Sequence, residues 1–273
     1  MSETGSAARG AGYDVMVDWD KRLSRELPFL EAVFAEIHEV HRVLDVGSGT
    51  GHHAIALAQR GLEVVGVDPS REMLDEARAN ARRAGVGVEF IEGGFGELAS
   101  LGLGQFDALI CTGNALPHVD GMGRLDAALE DFGAVLRRGG ALVLHLLNHE
   151  RLLKSHQRSL PPVIRDHQAG TTVFLRLLEY EPPAAPERIW IEFMTANKDR
   201  RPAPDGEPAF AWQTTADRSA HTVMPFPVLR DALERTGFWN VRAFGDHSGK
   251  DFEPSSDESV IVTARRERRA TRR

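Results

Sequence analysis

The run Val43-Leu44-Asp45-Val46-Gly47-Ser48-Gly49-Thr50-Gly51 sets three glycines at alternate positions, directly after an apolar stretch and before His53-Ala54-Ile55-Ala56-Leu57-Ala58. Glycine lets a backbone approach a ligand closely, and the start of a helix presents unpaired N–H groups to something negative or polar. A second apolar stretch, Val65-Gly66-Val67, ends on Asp68-Pro69, roughly 20 residues after the first turn. A carboxylate at that point can accept hydrogen bonds from both hydroxyls of a ribose. Together these residues point to the binding of a nucleoside-bearing cofactor.

Spacing narrows the cofactor. The dinucleotide fingerprint G-x-G-x-x-G uses its third glycine for close helix–strand packing beside a pyrophosphate. Here the glycines are Gly47, Gly49 and Gly51, and His52 holds the position that a dinucleotide fold fills with glycine. The G-x-G-x-G form preceded by Asp45 resembles motif I of the class I S-adenosylmethionine-dependent methyltransferases, and Asp68 resembles that family's ribose-binding acid. The resemblance implies a Rossmann-like α/β fold, a seven-stranded sheet with helices on both faces, and S-adenosylmethionine as methyl donor with S-adenosylhomocysteine as product. It also implies that Ser48 and Pro69 lie against the cofactor, and that Met73 packs on its adenine, although a core methionine of the helix beginning at Arg71 reads equally well. Where the family usually places a G-D pair to hold the adenine amine, this chain has Glu92-Gly93-Gly94-Phe95. That departure leaves the Phe95 ring, or backbone N–H groups such as that of Gly94, to read the base.

Methyl transfer from a sulfonium is an in-line displacement in which the protein mainly orients the partners and excludes water. Open α/β sheets bind ligands beyond the carboxyl ends of their strands. Such an end is occupied by Cys111-Thr112-Gly113-Asn114-Ala115-Leu116-Pro117-His118, which resembles the C-x-G-N-x-x-x-H stretch of glycine and sarcosine N-methyltransferases and their small-molecule relatives. The segment Leu147-Asn148-His149-Glu150 is similar to the stretch that follows the next strand in those enzymes. The resemblance places Thr112 and Gly113 beside the cofactor and makes Asn114, His118 and Asn148 the expected acceptor contacts, with Asn114 and His118 nearest the chemistry. His118 reads either as a general base or as a residue fixing backbone at the next helix start, and Asn114 and Asn148 either as positioners or as turn caps. In the same group an N-terminal tyrosine and an arginine approach the sulfonium and carboxylate. Tyr13 and Arg22 are the expected counterparts, with Arg25 as a competitor for the second role.

The favoured expectation is a methyltransferase acting on an amine or amino-acid-like nitrogen of a small molecule. The alternatives are a small-molecule O-methyltransferase with His118 as base, and a non-catalytic module that binds S-adenosylmethionine to regulate a partner. No metal site is expected. His38-Glu39-Val40-His41 is one residue short of H-E-x-x-H, and His52-His53 has no accompanying carboxylate cluster.

Composition fits this reading. The chain has 273 residues and a formal net charge of −7, which argues against sequence-independent nucleic-acid binding. No apolar run reaches the roughly 18 residues of a membrane span. The polar, acidic N-terminus and the single Cys111 suit a reducing cytoplasm. The expected partner is a small molecule, with homo-oligomerisation left open. One basic cluster, Arg265 to Arg273, reads as a solvated tail.

Positioning these residues requires strands and helices in alternation. Residues 1–40 read as an N-terminal segment and lid helix, and 41–149 as the cofactor-binding core, in which apolar strands interleaved with amphipathic helices imply a parallel sheet covered on both faces. Residues 150–225 break the alternation. Thr171–Glu181 and Arg188–Ala196, joined by a proline-rich turn, and then Phe210–Thr222 read as an antiparallel β insertion over the active site. Residues 226–265 return to the core as a helix and an edge hairpin, and 266–273 form the basic tail.

Overall fold

The computed structural model describes residues 14–37, 39–167, 170–201 and 209–267. Helix α1 (Trp19–Ala35) starts at Asp18, whose carboxylate accepts from the Lys21 N–H at 3.1 Å. The core then alternates through β1 (Arg42–Val46), α2 (His52–Ala58), β2 (Glu63–Asp68), α3 (Arg71–Ala84), β3 (Glu89–Glu92), β4 (Phe106–Cys111), α4 (Leu125–Val135) and β5 (Leu136–Leu147). A short helix, α5 (His149–Ser155), leads to four strands: β6 (Ser159–His167), β7 (Gly170–Glu181), β8 (Arg188–Arg201) and β9 (Ala209–Thr222). Helix α6 (Phe226–Arg235) and strands β10 (Phe238–Phe244) and β11 (Ser259–Arg266) complete the fold.

The first sheet has seven strands in the order β10-β11-β5-β4-β1-β2-β3, parallel from β5 to β3, with β11 antiparallel to β5 and to β10. Successive side chains point to opposite faces, so each central strand feeds two cores. Val43, Ala108, Ile110 and Val143 pack with Leu30, Val33, Leu57 and Leu74 on one side. Leu44, Leu109, Leu142 and Leu144 pack with Phe132, Leu229 and Leu233 on the other. This is the seven-stranded sheet with helices on both faces that the resemblance implied, its parallel part being what the alternation of strands and helices called for.

The second sheet is antiparallel, in the order β6-β7-β8-β9. Leu160, Leu178, Ile189, Ile191 and Val223 join Leu152 of α5 in a third apolar cluster that seats it. Strand β6 was not expected from the sequence, because Pro161-Pro162 interrupts its pattern. Pairing with β7 shifts register between Leu160 and Val163, and β6 is an edge strand, where proline is tolerated. The basic cluster also needs correction. Arg265 and Arg266 belong to β11, Arg265 pairs with Glu36 at 2.9 Å, and Arg266 donates to the Thr236 carbonyl at 3.0 Å. Residues 268–273 of that tail lie outside the described residues. No helix among the described residues is long and apolar enough to cross a membrane.

Candidate active site

The strand ends β1, β2 and β4 open into a cavity of about 460 Å³. Its floor is the glycine turn. Gly47, Gly49 and Gly51 all have positive φ, of 71°, 54° and 82°, so each is in a conformation that L side chains rarely adopt. Their surroundings differ. A Cβ on Gly47 would stand 2.5 Å from Ala115 Cβ, and one on Gly51, the N-cap of α2, would stand 2.6 Å from the Phe90 ring. A Cβ on Gly49 would meet nothing within 4 Å, and Gly49 lines the cavity. Gly51 therefore serves packing, and Gly49 keeps ligand space clear.

Two carboxylates face this cavity. Asp68, at the end of β2, accepts from Gly49 N–H and Ser70 N–H, each at 2.9 Å. These bonds use two of the roughly four lone-pair sites of a carboxylate. Burial raises its pKa, against those two backbone bonds. Asp45 is 1% exposed, and burial together with the neighbouring Asp68 charge pushes its pKa up to about 6. Asp45 Oδ2 and Ser48 Oγ are buried polar atoms without a protein hydrogen-bond partner, and both residues line the cavity. Unpaired buried polar groups are costly and call for a ligand. Pro69, Met73, Gly94, Phe95, Thr112 and Gly113 line the same space.

The idea that backbone N–H groups read a base at the end of β3 needs amendment. Gly93 N–H donates to the Asp68 carbonyl at 3.2 Å, and Gly94 N–H donates to Glu97 Oε2 at 2.8 Å. Both donors are already taken, whereas Phe95, which also lines the cavity, packs its ring on Phe132 at a centroid distance of 5.9 Å.

The N-terminal segment closes over the turn. Asp14 accepts from Trp19 Nε1 (3.1 Å), Thr50 Oγ1 (2.5 Å) and Asn80 Nδ2 (3.2 Å), and pairs with His52 Nε2 at 3.0 Å. Trp19 stacks on His52 with centroids 4.1 Å apart. Arg22 lies 5.1 Å from the centroid of the Trp19 ring, lines the cavity, and is held by Glu26 at 2.8 Å. Glu26 also accepts from His53 Nε2 at 2.5 Å. Burial would raise the Glu26 pKa, but the His53 bond and the Arg22 charge outweigh it and hold the carboxyl well below the usual range. Glu26, His145 and His247 bring ligand-type atoms within 4.8 Å of one another. Arg22 already balances the charge of Glu26. Arg25 points away, donating to the Lys21 carbonyl at 3.3 Å, and Tyr13 lies outside the described residues.

A second cavity, of about 300 Å³, lies between the core sheet and the antiparallel sheet. It shares Arg22, Gly113 and His118 with the first. Its own lining includes Asn114, His145, Arg176 and His221, with apolar Met16, Leu160, Ile191 and Phe193. Asn114 sits at φ 68°, a left-handed conformation that asparagine tolerates better than most residues. Burial lowers the pKa of His118 and of His145, the latter to about 3, so both are neutral at pH 7.

Asn148 departs from its expected place. It is 1% exposed, caps α5 by accepting from Arg151 N–H at 3.1 Å, and donates to the Pro254 and Asp257 carbonyls at 2.9 and 2.8 Å. It lines neither cavity. Sequence reasoning missed Trp19, His145, Arg176 and His221. Of these only His145, a polar residue in the apolar run Ala141–Leu147, left a local signal.

Residues 43–140 match the family model for a methyltransferase domain. The chain is similar to the glycine/sarcosine N-methyltransferase of Parasynechococcus marenigrum, at 36% identity over 142 residues, 52% of this chain and 50% of that protein. The match thus spans half the length of that relative. A glycine/sarcosine N-methyltransferase of Aphanothece halophytica is 28% identical over 86% of this chain and 79% of its own length. In fold, the chain resembles an S-adenosylmethionine-dependent methyltransferase of Clostridium acetobutylicum, with a TM-score of 0.74 at 15% identity, covering 92% of this chain and 93% of that one.

Proposed function

We propose, for a chain whose residues 43–140 are a class I methyltransferase domain, that it transfers a methyl group from S-adenosylmethionine to the nitrogen of a small amine or amino-acid-like acceptor. The observation that carries this reading is the pair of cavities that meet at Arg22, Gly113 and His118. A donor site and an acceptor site joined at one strand end are what an in-line transfer requires.

The residues of the first cavity suit the donor. Asp68 has lone pairs left for the ribose hydroxyls, and the unpartnered Asp45 Oδ2 suits the ammonium of the methionyl part. Arg22 suits its carboxylate, and Met73 and Phe95 offer apolar surface to adenine. Bound S-adenosylmethionine supplies an electrophilic methyl on a sulfonium. The chain's own contribution is orientation and dryness. Asn114, fixed on the β4 end, and Arg176, projecting from β7, would hold the acceptor, while Leu160, Ile191 and Phe193 keep water out. Such orientation can contribute about 7–11 kcal/mol. An amine needs no base once it arrives neutral. The relatives' names, glycine/sarcosine N-methyltransferase, support the same acceptor class.

A second reading rests on His118, whose ring borders both cavities and is neutral at pH 7. With a hydroxyl acceptor it would take the proton as base. The test combines calorimetry with S-adenosylmethionine, S-adenosylhomocysteine and NAD and a methyl-transfer screen of amines, amino acids and phenols. Binding of the first two and turnover of amines support the proposal. Preferential binding of NAD refutes it, and turnover of phenols alone favours the second reading. Tight S-adenosylmethionine binding with no turnover in any class would instead favour a regulatory binding module.

A further inference from the structure

Glu26, near the middle of α1, is only 5% exposed. A buried carboxylate is costly unless its oxygens are paired. Both are paired here. Oε1 accepts from Arg22 Nε, about one helical turn earlier, at 2.8 Å. Oε2 accepts from Nε2 of His53, the second residue of α2, at 2.5 Å. Burial works against the charge, but the His53 bond and the Arg22 charge keep the carboxyl ionised. An ionised carboxylate can only accept, so the His53 Nε2 carries the hydrogen. Glu26 therefore ties the Arg22 side chain to the first turn of α2, directly beyond the glycines.

Arg22 is the cation that answers the Glu26 charge. His145 and His247 bring ring nitrogens close to Glu26, yet burial, against the attraction of Glu26, lowers the pKa of both rings. An exposed pair of this spacing would contribute little. Here the Arg22 and Glu26 side chains are 15% and 6% exposed, so removing the carboxylate would strand a sheltered guanidinium. That guanidinium would turn to another anion. Asp45 lines the same cavity with its unpartnered Oδ2. Burial raises the Asp45 pKa, and the Arg22 charge is among those pulling it back. A direct pair between Arg22 and Asp45 would spend both charges on each other.

We propose that Glu26 is a positioning residue of the donor site: it holds Arg22 by Nε, keeps the guanidinium off Asp45, and so leaves two opposite charges apart for a zwitterionic amino-acid end. This rests on the reading of the first cavity as the S-adenosylmethionine site. Glu26 lines neither cavity, so it acts on the ligand only through the side chains that it holds. The carboxylate of the donor then replaces nothing that Glu26 supplies; it meets an arginine already set in place.

The test is calorimetry with two ligands, S-adenosylhomocysteine and 5′-methylthioadenosine, which keeps the adenosine and thioether but lacks the amino-acid end. Glu26→Gln keeps the shape and loses the charge. It should weaken S-adenosylhomocysteine binding about 10–100-fold and leave 5′-methylthioadenosine within about twofold of wild type. Glu26→Asp, with the charge on a shorter arm, should show the same selective loss in smaller measure, and it carries the test if Glu26→Gln does not fold. Asp45→Asn should weaken S-adenosylhomocysteine binding in the wild type but add little in the Glu26→Gln background, where Asp45 is already paired with Arg22. Equal losses for the two ligands would make Glu26 a structural residue of α1 and overturn the proposal. Additive losses from Glu26→Gln and Asp45→Asn would overturn it as well, as would an unchanged affinity for both ligands. A wild-type protein that binds S-adenosylhomocysteine no more tightly than 5′-methylthioadenosine overturns the donor-site reading itself, and the role of Glu26 with it.

Discussion

Replacing Asp14 with alanine removes the clasp that holds the N-terminal segment on the glycine turn. Its carboxylate has four partners, Trp19, Thr50, His52 and Asn80, at 2.5 to 3.2 Å. Hydrogen bonds to a charged group contribute about 1.5–3 kcal/mol each when sheltered, so the gross value would be about 6–12 kcal/mol. The side chain is 20% exposed, however, and on undocking its partners can turn to water. Trp19 also keeps its stacking on His52. A net local cost of about 2–4 kcal/mol is therefore expected, felt as undocking of the segment rather than as global unfolding. The rest of α1 stays anchored by Leu27, Leu30, Val33 and Phe34. Because Trp19 and Arg22 line the cofactor cavity, S-adenosylmethionine affinity measured by calorimetry should fall about 30–700-fold, at roughly 1.4 kcal/mol per tenfold. Asp14→Asn should be intermediate: an amide oxygen in place of Oδ1 still accepts from Trp19 and Thr50, but the new NH2 opposes the Asn80 NH2. Burial raises the Asp14 pKa, but the bonds from His52, Thr50 and Asn80 outweigh it and leave the pKa below the ordinary value. The clasp is therefore fully present above the unfolded-state pKa of about 3.9 and is lost as pH falls through the lower folded-state pKa. Affinity in Asp14→Ala within twofold of wild type, with unchanged amide exchange over residues 14–22, would refute the clasp.

Three further outcomes follow from the site. Asp68→Ala should weaken S-adenosylmethionine binding at least tenfold in calorimetry and also lower the thermal midpoint, because Gly49 and Ser70 lose their acceptor; a loss of stability with unchanged affinity would assign the carboxylate to the turn alone. Gly47→Ala should be destabilising by about 1–3 kcal/mol in denaturant unfolding, and Ala115→Gly should recover only part of this. The recovery removes the 2.5 Å contact but leaves the left-handed φ, so full rescue would show that backbone strain is negligible there. His118→Ala should stay within about tenfold of wild type in turnover of an amine, whereas loss of about 10²–10⁴-fold would identify a general base.

The sequence alone determined the cofactor half of this protein. Asp45, Gly47, Ser48, Gly49 and Asp68 act through one strand–turn–helix unit and the strand beside it, so a local pattern carries their geometry. The apolar strands β1, β2, β4 and β5 were legible for the same reason, since burial on both faces writes a continuous apolar run. Tertiary structure decided the second cavity. Asn114 and His221 are 107 positions apart and meet only because β9 returns to the end of β4, where Thr222 Oγ1 donates to the Val119 carbonyl at 2.6 Å. Nothing near Thr222 in the sequence encodes that return. Likewise Asn148 looked like an acceptor contact from its strand-end position, yet the turn at Pro254–Asp257 claims its amide. A polar residue at a strand end has its function set by whichever distant segment packs against it, and only the folded chain brings that segment there.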